Sequence, residues 1–535
     1  MSFDWINPYP STRSPLFARN VVATSQPLAA QAGLQMLRAG GNAVDAAIAS
    51  AAAMTIVEPC SNGLGSDNFA IVWDGQELHG LNSSGTAPAA WTREYFLNKH
   101  GPALPMRGWD SVTVPGAVAG WAALHLRFGK LPFGDLLAPA IELAERGFGV
   151  GVVTAEKWAR AVPHLAGQPG FDQTFLPRGR APLPGERFSM PEAAATLRRI
   201  GATRGEDFYR GATASALAAH AAAHGGSMTA ADLASFAPTW VGTIAKDFGG
   251  HSLHEIPPNG QGIATLMALG MLQQLDLGRF PVDSVEGQHL QIEAMKLAFA
   301  DTYRWVADAR AMIEVRPQDL LDDAYLAERA RLIDPRRAQD FGAGRPPRGG
   351  TIYLTAADER GMMISLIQSN YMGFGSGVVV PGTGVSLQNR GHGFTLEPDH
   401  PNVVAPGKRP FHTIIPAFLT KDGRPQMSFG VMGGNMQPQG HLQTLVRMVV
   451  HGQQPQAACD APRWKVDRGL AIDCEHSMSR VLVEGLRARG HDLQATDDPY
   501  MDFGAGQFVW RLSDDPEDGY VAASDARREG QAVGF

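Results

Sequence analysis

The sequence predicts a layered α/β sandwich, on three observations. Helical and strand-like stretches alternate from about residue 20 to 160, and mostly helical ones run from about 190 to 335. After Gly350 the texture changes to short strands, and strand groups flanked by helical groups pack as layers. The chain has 535 residues, 44% of them hydrophobic, enough for a large α/β enzyme to form one compact body.

The elements follow in order. "GGNAVDAAIASAAAMTIVEP" reads as a buried helix entered through Gly40–Gly41, with Asn42 as its N-cap. "NFAIVWDG" is a strand closed by an Asp-Gly turn. "EGQHLQIEAMKLAFADTYRWVAD" repeats apolar residues at helical spacing. "IDPRRAQDFGAGRPPRGG" is polar and breaker-rich, and is expected to be exposed and mobile. The strands "TIYLTAAD", "MMISLIQSNY", "GVSLQNRG", "TIIPAFLT" and "QMSFGVMGG" come next, then the helix "QGHLQTLVRMVVHG".

Composition narrows the function classes. A net charge of -7 leaves no basic excess for binding nucleic acid. No apolar run reaches the ~20 residues that span a bilayer, and the N-terminal residues resemble no secretory signal. Cys60, Cys459 and Cys474 are far apart, odd in number and without metal-ligand spacing, which fits a reducing compartment. A cytoplasmic protein is expected, with no membrane partner. The pair His251 and His254 lacks the companions of a metal site, and the glycine-rich "GLGSDNF" and "GFGSGV" match no nucleotide-binding pattern, so no metal or cofactor is expected. No G-x-S-x-G elbow occurs, and Cys60, in a loop with no visible base, reads as structural.

"TIYLTAAD-ERG-MMISLIQS" forms a hairpin whose three-residue loop puts Gly361 in the left-handed position. Asp358 closing against Met362 sets a register in which Thr351 faces Ser369. Ile352, Leu354, Ala356, Ile364 and Leu366 share a core face, and a largely polar face holds Thr351, Tyr353, Thr355, Ser365, Ser369 and Tyr371. One reading of that polar face is an ordinary solvated sheet surface. The other is chemical: cleavage of Gly350–Thr351 would give Thr351 a free α-amine, so that nucleophile and base sit in one residue. Gly350, lacking a Cβ, tolerates the backbone strain that self-cleavage needs.

The chain resembles the γ-glutamyltranspeptidase family of N-terminal-nucleophile hydrolases. The resemblance runs in order through "GGNAVDAAIASAAAMTIVEP", "SNGLGSDNFAIVWDG", "SSGTAPAA", "SVTVPGAVAGW", "FGKLPFGDLLAPAIELAERGFGV", "TIYLTAADERG", "GFGSGVVVPGTGVSLQNRG", "PFHTIIPA", "GVMGGNMQP" and "DAPRW". It implies a four-layer αββα sandwich and a precursor that cuts itself between Gly350 and Thr351. Residues 1–350 would form a large subunit and 351–535 a small one, held together as one compact domain. It implies Thr351 as nucleophile, Ser369 as its hydroxyl partner, and Gly433 and Gly434 as the oxyanion hole.

Two departures concern the substrate. Family members that use glutathione hold its glutamyl group with an arginine where this chain has Ser84, and with an acidic residue where it has Gly393. Tyr371, Asn389, Arg390, His412 and Thr413 are the candidate substrate-binding residues, with Arg390 and His412 suited to an anionic acyl group and Arg390 otherwise to a surface ion pair. The expected function is hydrolysis of a γ-glutamyl-like or other small acyl amide through an acyl-enzyme. Oxamate-type amidohydrolase and glutaryl- or cephalosporin-type acylase activities stay open. So do true γ-glutamyl transfer, an unprocessed binding homologue, and a homodimer.

Overall fold

The computed structural model describes residues 13–342, 350–496 and 503–535. Two seven-stranded antiparallel sheets lie face to face. One runs, in spatial order, Gln531–Gly534, Val21–Thr24, Gly350–Ala357, Met363–Tyr371, Asp67–Trp73, Leu78–Ser83 and Thr239–Trp240. The other runs Leu16–Ala18, Tyr520–Ser524, Gly506–Arg511, Arg424–Val431, Ala417–Lys421, His251–Glu255 and Ile244–Phe248. Apolar side chains from both inner faces, among them Phe69, Ile71, Tyr353, Ile367, Phe418 and Val509, pack into one core between them.

Helices cover the two outer faces, giving the four layers. The helix Ala43–Val57 is buried along its whole length, and Asn42 caps it through a reciprocal pair with Asp45. Its alanines let it sit in the layer over the first sheet, with Ile352, Leu354, Ile364 and Leu366 in the same core. The fully buried helix Ile263–Leu272, with Val285–Trp305 and Met436–Val449, covers the second sheet.

The hairpin keeps its expected register from Ile352↔Gln368 to Ala357↔Met363, and Gly361 turns it at φ +89°. Its polar face is not solvated. It looks into the space between the sheets, where Tyr353 OH bonds Ser365 Oγ at 2.7 Å and Thr355 Oγ1 bonds Ser428 Oγ at 2.5 Å. Paired hydroxyls satisfy one another there, so a polar strand face can be buried.

Several elements differ from expectation. The stretch around "HSLHEIP" is not helical but supplies two strands, Ile244–Phe248 and His251–Glu255. Ile244–Phe248 is the edge strand, which its half-buried, charged alternation suits, and His251–Glu255 is paired on both sides. "GVSLQNRG" yields only the short strand Val385–Ser386 and a turn at Arg390–Gly393, because Arg390 N–H donates to Gln388 Oε1 instead of a ladder. "TIIPAFLT" is strand only from Ala417, after Pro416. A three-stranded sheet, Trp464–Arg468, Ala471–Glu475 and Asp492–Thr496, was not expected.

The segment expected to be mobile is only partly within view, since 343–349 lie outside the described residues. The part before it is anchored. Gln339 N–H donates to Glu293 Oε2 at 3.1 Å, Lys296 Nζ donates to the Gln339 carbonyl at 2.6 Å, and Ala338 N–H donates to the Arg489 carbonyl at 2.7 Å.

Candidate active site

Thr351 stands at the head of an inner strand of the first sheet and is 2% exposed. A bulge at this point sets Ser369 and Asn370 against the single residue Thr351, between the pairs Ile352↔Gln368 and Gly350↔Tyr371. Thr351 Oγ1 donates to Ser369 Oγ at 3.3 Å, and Ser369 Oγ also accepts the Tyr371 N–H at 2.8 Å. Gln437 Nε2 reaches Thr351 Oγ1 from the second sheet's side at 3.4 Å. The threonine hydroxyl therefore sits where the two layers meet.

Gln437 belongs to the first turn of helix Met436–Val449, which follows the pair Gly433–Gly434. Both glycines have positive φ, +118° and +60°, a conformation that favours residues without a Cβ. Among the described residues neither glycine N–H donates a hydrogen bond within the chain, whereas the Gly434 carbonyl is held by Gln261 Nε2 at 3.0 Å. Two free N–H groups at a helix N-terminus suit developing negative charge.

Arg390 is not a surface residue: it is 1% exposed and forms no ion pair among the described residues. Its Nη1 donates to Thr413 Oγ1 at 2.8 Å, its guanidinium lies 4.5 Å from the centre of the Tyr371 ring, and its Nε and Nη2 have no partner. Burial lowers its pKa to about 10 despite the pull of Asp67, so it stays charged at neutral pH. Thr413 is joined in turn to Gln261, which takes its carbonyl at 2.6 Å.

His412 has both ring nitrogens occupied. One faces Asp67 Oδ2 at 3.2 Å and the other accepts the Ile414 N–H at 3.3 Å. Burial holds it neutral, well below the usual histidine range. Asn389 is likewise engaged at both ends, accepting the Met372 N–H at 3.1 Å and donating to the Met106 carbonyl at 2.9 Å. These two brace the wall around Arg390 and Tyr371.

Asp67, the strand partner of Ser369, was not singled out from sequence. Burial pushes its carboxyl up to about 6, against the Gly85 and Gly116 N–H groups and Arg390, which favour the anion. The folded chain thus binds a proton more tightly than the unfolded one, and this contribution to stability is present below the ordinary Asp range and lost as pH rises through about 6. The expected result is that wild type loses up to about 3 kcal/mol relative to Asp67→Asn between pH 4 and pH 8. Paired denaturant titrations of the two proteins measure it.

A cavity of about 320 Å³ opens beside these residues, lined in part by Tyr303, Tyr371, Gly393, Phe394 and Phe411. Tyr303 OH contacts Asn435 Nδ2, the residue after the diglycine. The place where an acidic side chain would stand is closed: a Cβ on Gly393 would meet the Phe411 carbonyl oxygen at 2.7 Å. Ser84 is bound into a buried network with Asn82 Oδ1 at 2.8 Å and Asn259 Nδ2 at 3.1 Å. Gly393→Asp is therefore expected to lower stability by about 1–3 kcal/mol without raising turnover of γ-glutamyl amides. Melting curves and a γ-glutamyl-p-nitroanilide assay check both halves.

The other sequence candidates resolve simply. His254 bonds Thr243 Oγ1 at 3.1 Å and Thr420 Oγ1 at 3.0 Å. Cys60 is buried, which pushes its thiol up to about 11. Among the described residues one group has ligand atoms close enough for a metal, His289, Glu293 and His491. There the Lys296 ammonium lies 2.5 Å from Glu293 Oε1 and already supplies the positive charge.

A four-layer αββα sandwich with a threonine heading an inner strand is the architecture of the N-terminal-nucleophile hydrolases. Within that class the chain belongs to the gamma-glutamyltranspeptidase family, whose profile matches residues 29–535. It is similar to the crystal structure of a cephalosporin acylase from Bacillus halodurans, with 46% identity and a TM-score of 0.94 over 100% of this chain and 99% of that one. It is 36% identical to the oxamate amidohydrolase proenzyme of Klebsiella pneumoniae over 95% of this chain and 97% of that protein. It is 34% identical to the glutathione hydrolase-like YwrD proenzyme of Bacillus subtilis over 98% of this chain and 100% of that protein.

Asp67, Gln261, Gln437, Tyr303 and Asn435 were not expected at the site. Gln437 alone left a signal, since "GGNMQ" puts it on the first helical turn after the diglycine.

Proposed function

We propose that the protein is a self-processing amidohydrolase that removes short anionic acyl groups from amides, with Thr351 as its nucleophile. In the uncut chain the Thr351 hydroxyl attacks the Gly350 carbonyl, and its proton passes to the departing Thr351 nitrogen. Water then cuts the resulting ester, leaving a Gly350 carboxylate and a free Thr351 amine. Residues 1–350 and 351–535 become the two subunits.

That amine, with an ordinary pKa of roughly 7.7–8.0, takes the Oγ1 proton as the hydroxyl attacks a substrate carbonyl. Ser369 and Gln437 hold the hydroxyl in place, and the N–H groups of Gly433 and Gly434 receive the oxyanion. One such donor contributes about 3–4 kcal/mol. The proton goes on to the leaving amine, and water releases the acyl group from Thr351 by the same route.

The observation that carries the substrate class is Arg390, buried with Nε and Nη2 unpartnered and with no carboxylate in ion-pair range among the described residues. A buried cation with two free donors in a fork fits a carboxylate. Support also comes from the relatives named for oxamate and cephalosporin acyl groups. The closed position 393 speaks against a glutamyl α-amine. Three buried free thiols fit a reducing compartment such as the cytoplasm.

The test is a panel of amides on processed protein: oxamate, glutaric monoamide, a neutral acyl amide and γ-glutamyl-p-nitroanilide. The anionic pair is expected to lead in kcat/KM. Preference for the γ-glutamyl or the neutral amide would reject the assignment.

A further inference from the structure

Three features meet at Tyr371. Its backbone is the strand partner of Gly350, on the far side of the bond to be cut. Its φ is +81°, a conformation that a residue with a side chain rarely adopts unless its surroundings hold it there. Its ring borders the 320 Å³ cavity and also stacks on the Arg390 guanidinium. Arg390 itself does not border that cavity, and among the described residues no Asp, Glu, Lys or Arg does. The free Nε and Nη2 of Arg390 are thus shut away from the space a substrate would enter.

Resting on the reading of Arg390 as the acyl anchor, we infer that Tyr371 is a gate which opens when the chain is cut. In the precursor the pairing with Gly350, together with the N–H bond to Ser369 Oγ, fixes the Tyr371 backbone and keeps the ring between Arg390 and the cavity. Hydrolysis of the Gly350–Thr351 bond frees Gly350 to leave, and the strained residue keeps its N–H bond to Ser369 Oγ but loses its strand partner. The ring then turns aside and the guanidinium faces the cavity. Anion binding and the nucleophile are switched on by the same cleavage, so no substrate is captured by a chain that cannot turn it over.

The experiment titrates glutarate and oxalate, which have no amide to cut, into three full-length proteins by calorimetry. Processed wild type is expected to bind one of these dianions in a manner abolished by Arg390→Met. Uncut Thr351→Ala is expected to bind it at least about tenfold more weakly. Adding Tyr371→Ala to Thr351→Ala is expected to restore binding toward that of processed wild type. Tyr371→Gly, which removes the ring and suits a positive φ, serves as a second opening variant if the alanine protein folds poorly. Equal binding by processed wild type and Thr351→Ala overturns the gate and leaves the anion reading standing. So does failure of both opening variants to strengthen binding. Absence of any Arg390-dependent binding to processed wild type overturns the anion reading, and the gate with it.

Discussion

Replacing Thr351 with alanine is expected to leave one uncut chain and to cut amide turnover by at least ~10⁴-fold, the scale seen when a nucleophile is deleted from a preorganised site. The loss is double. Without the hydroxyl the Gly350 carbonyl is never attacked, so the α-amine is never released. Without either group no acyl-enzyme forms, even with Gly433 and Gly434 in place. Thr351→Ser keeps the hydroxyl and is expected to process and turn over more slowly. Thermal stability should change little, since among the described residues Thr351 Oγ1 makes only long contacts, 3.3 Å to Ser369 and 3.4 Å to Gln437. Gel mobility and steady-state rates together read this out.

Replacing Arg390 with methionine is expected to lower kcat/KM for anionic acyl amides roughly 10²–10³-fold. Two charge-assisted hydrogen bonds, at about 1.5–3 kcal/mol each, are at stake. Most of the loss should fall in KM, because the carboxylate is held alike before and during the reaction. Neutral acyl amides should be nearly unaffected, which separates loss of an anchor from collapse of the site. The folded protein should be no less stable, because a buried cation without an ion-pair partner is costly and methionine still packs on Tyr371. Michaelis–Menten curves for one anionic and one neutral amide measure the split.

Much of this was legible in the sequence where local rules decide. The Asn42 cap, the Gly361 turn and the hairpin register are each fixed by residues within a few positions of one another, and each stands as read. So does the meeting of Thr351 with Ser369, although the bulge that brings Ser369 and Asn370 against one residue was not foreseen. Long-range packing was less legible. The polar strand face looked like a surface because its hydroxyl partner Ser428 lies on the other sheet, more than seventy residues away. The strands His251–Glu255 and Ile244–Phe248 were missed because each is only five residues long and polar or charged residues break up its apolar pattern. Arg390 had two readings in sequence, and its burial decides against the surface ion pair. Asp67 was invisible, since nothing in "GLGSDNF" says that its carboxyl would be buried beside His412.

The most direct test of the central claim is to trap the acyl-enzyme. Processed wild type is mixed with an activated glutaryl ester, quenched in acid, digested, and its peptides are weighed and fragmented. One modified peptide is expected, beginning at Thr351, carrying the glutaryl group on that residue and absent from Thr351→Ala. A glutaryl group on another residue, or on a chain still joined through Gly350–Thr351, would contradict it.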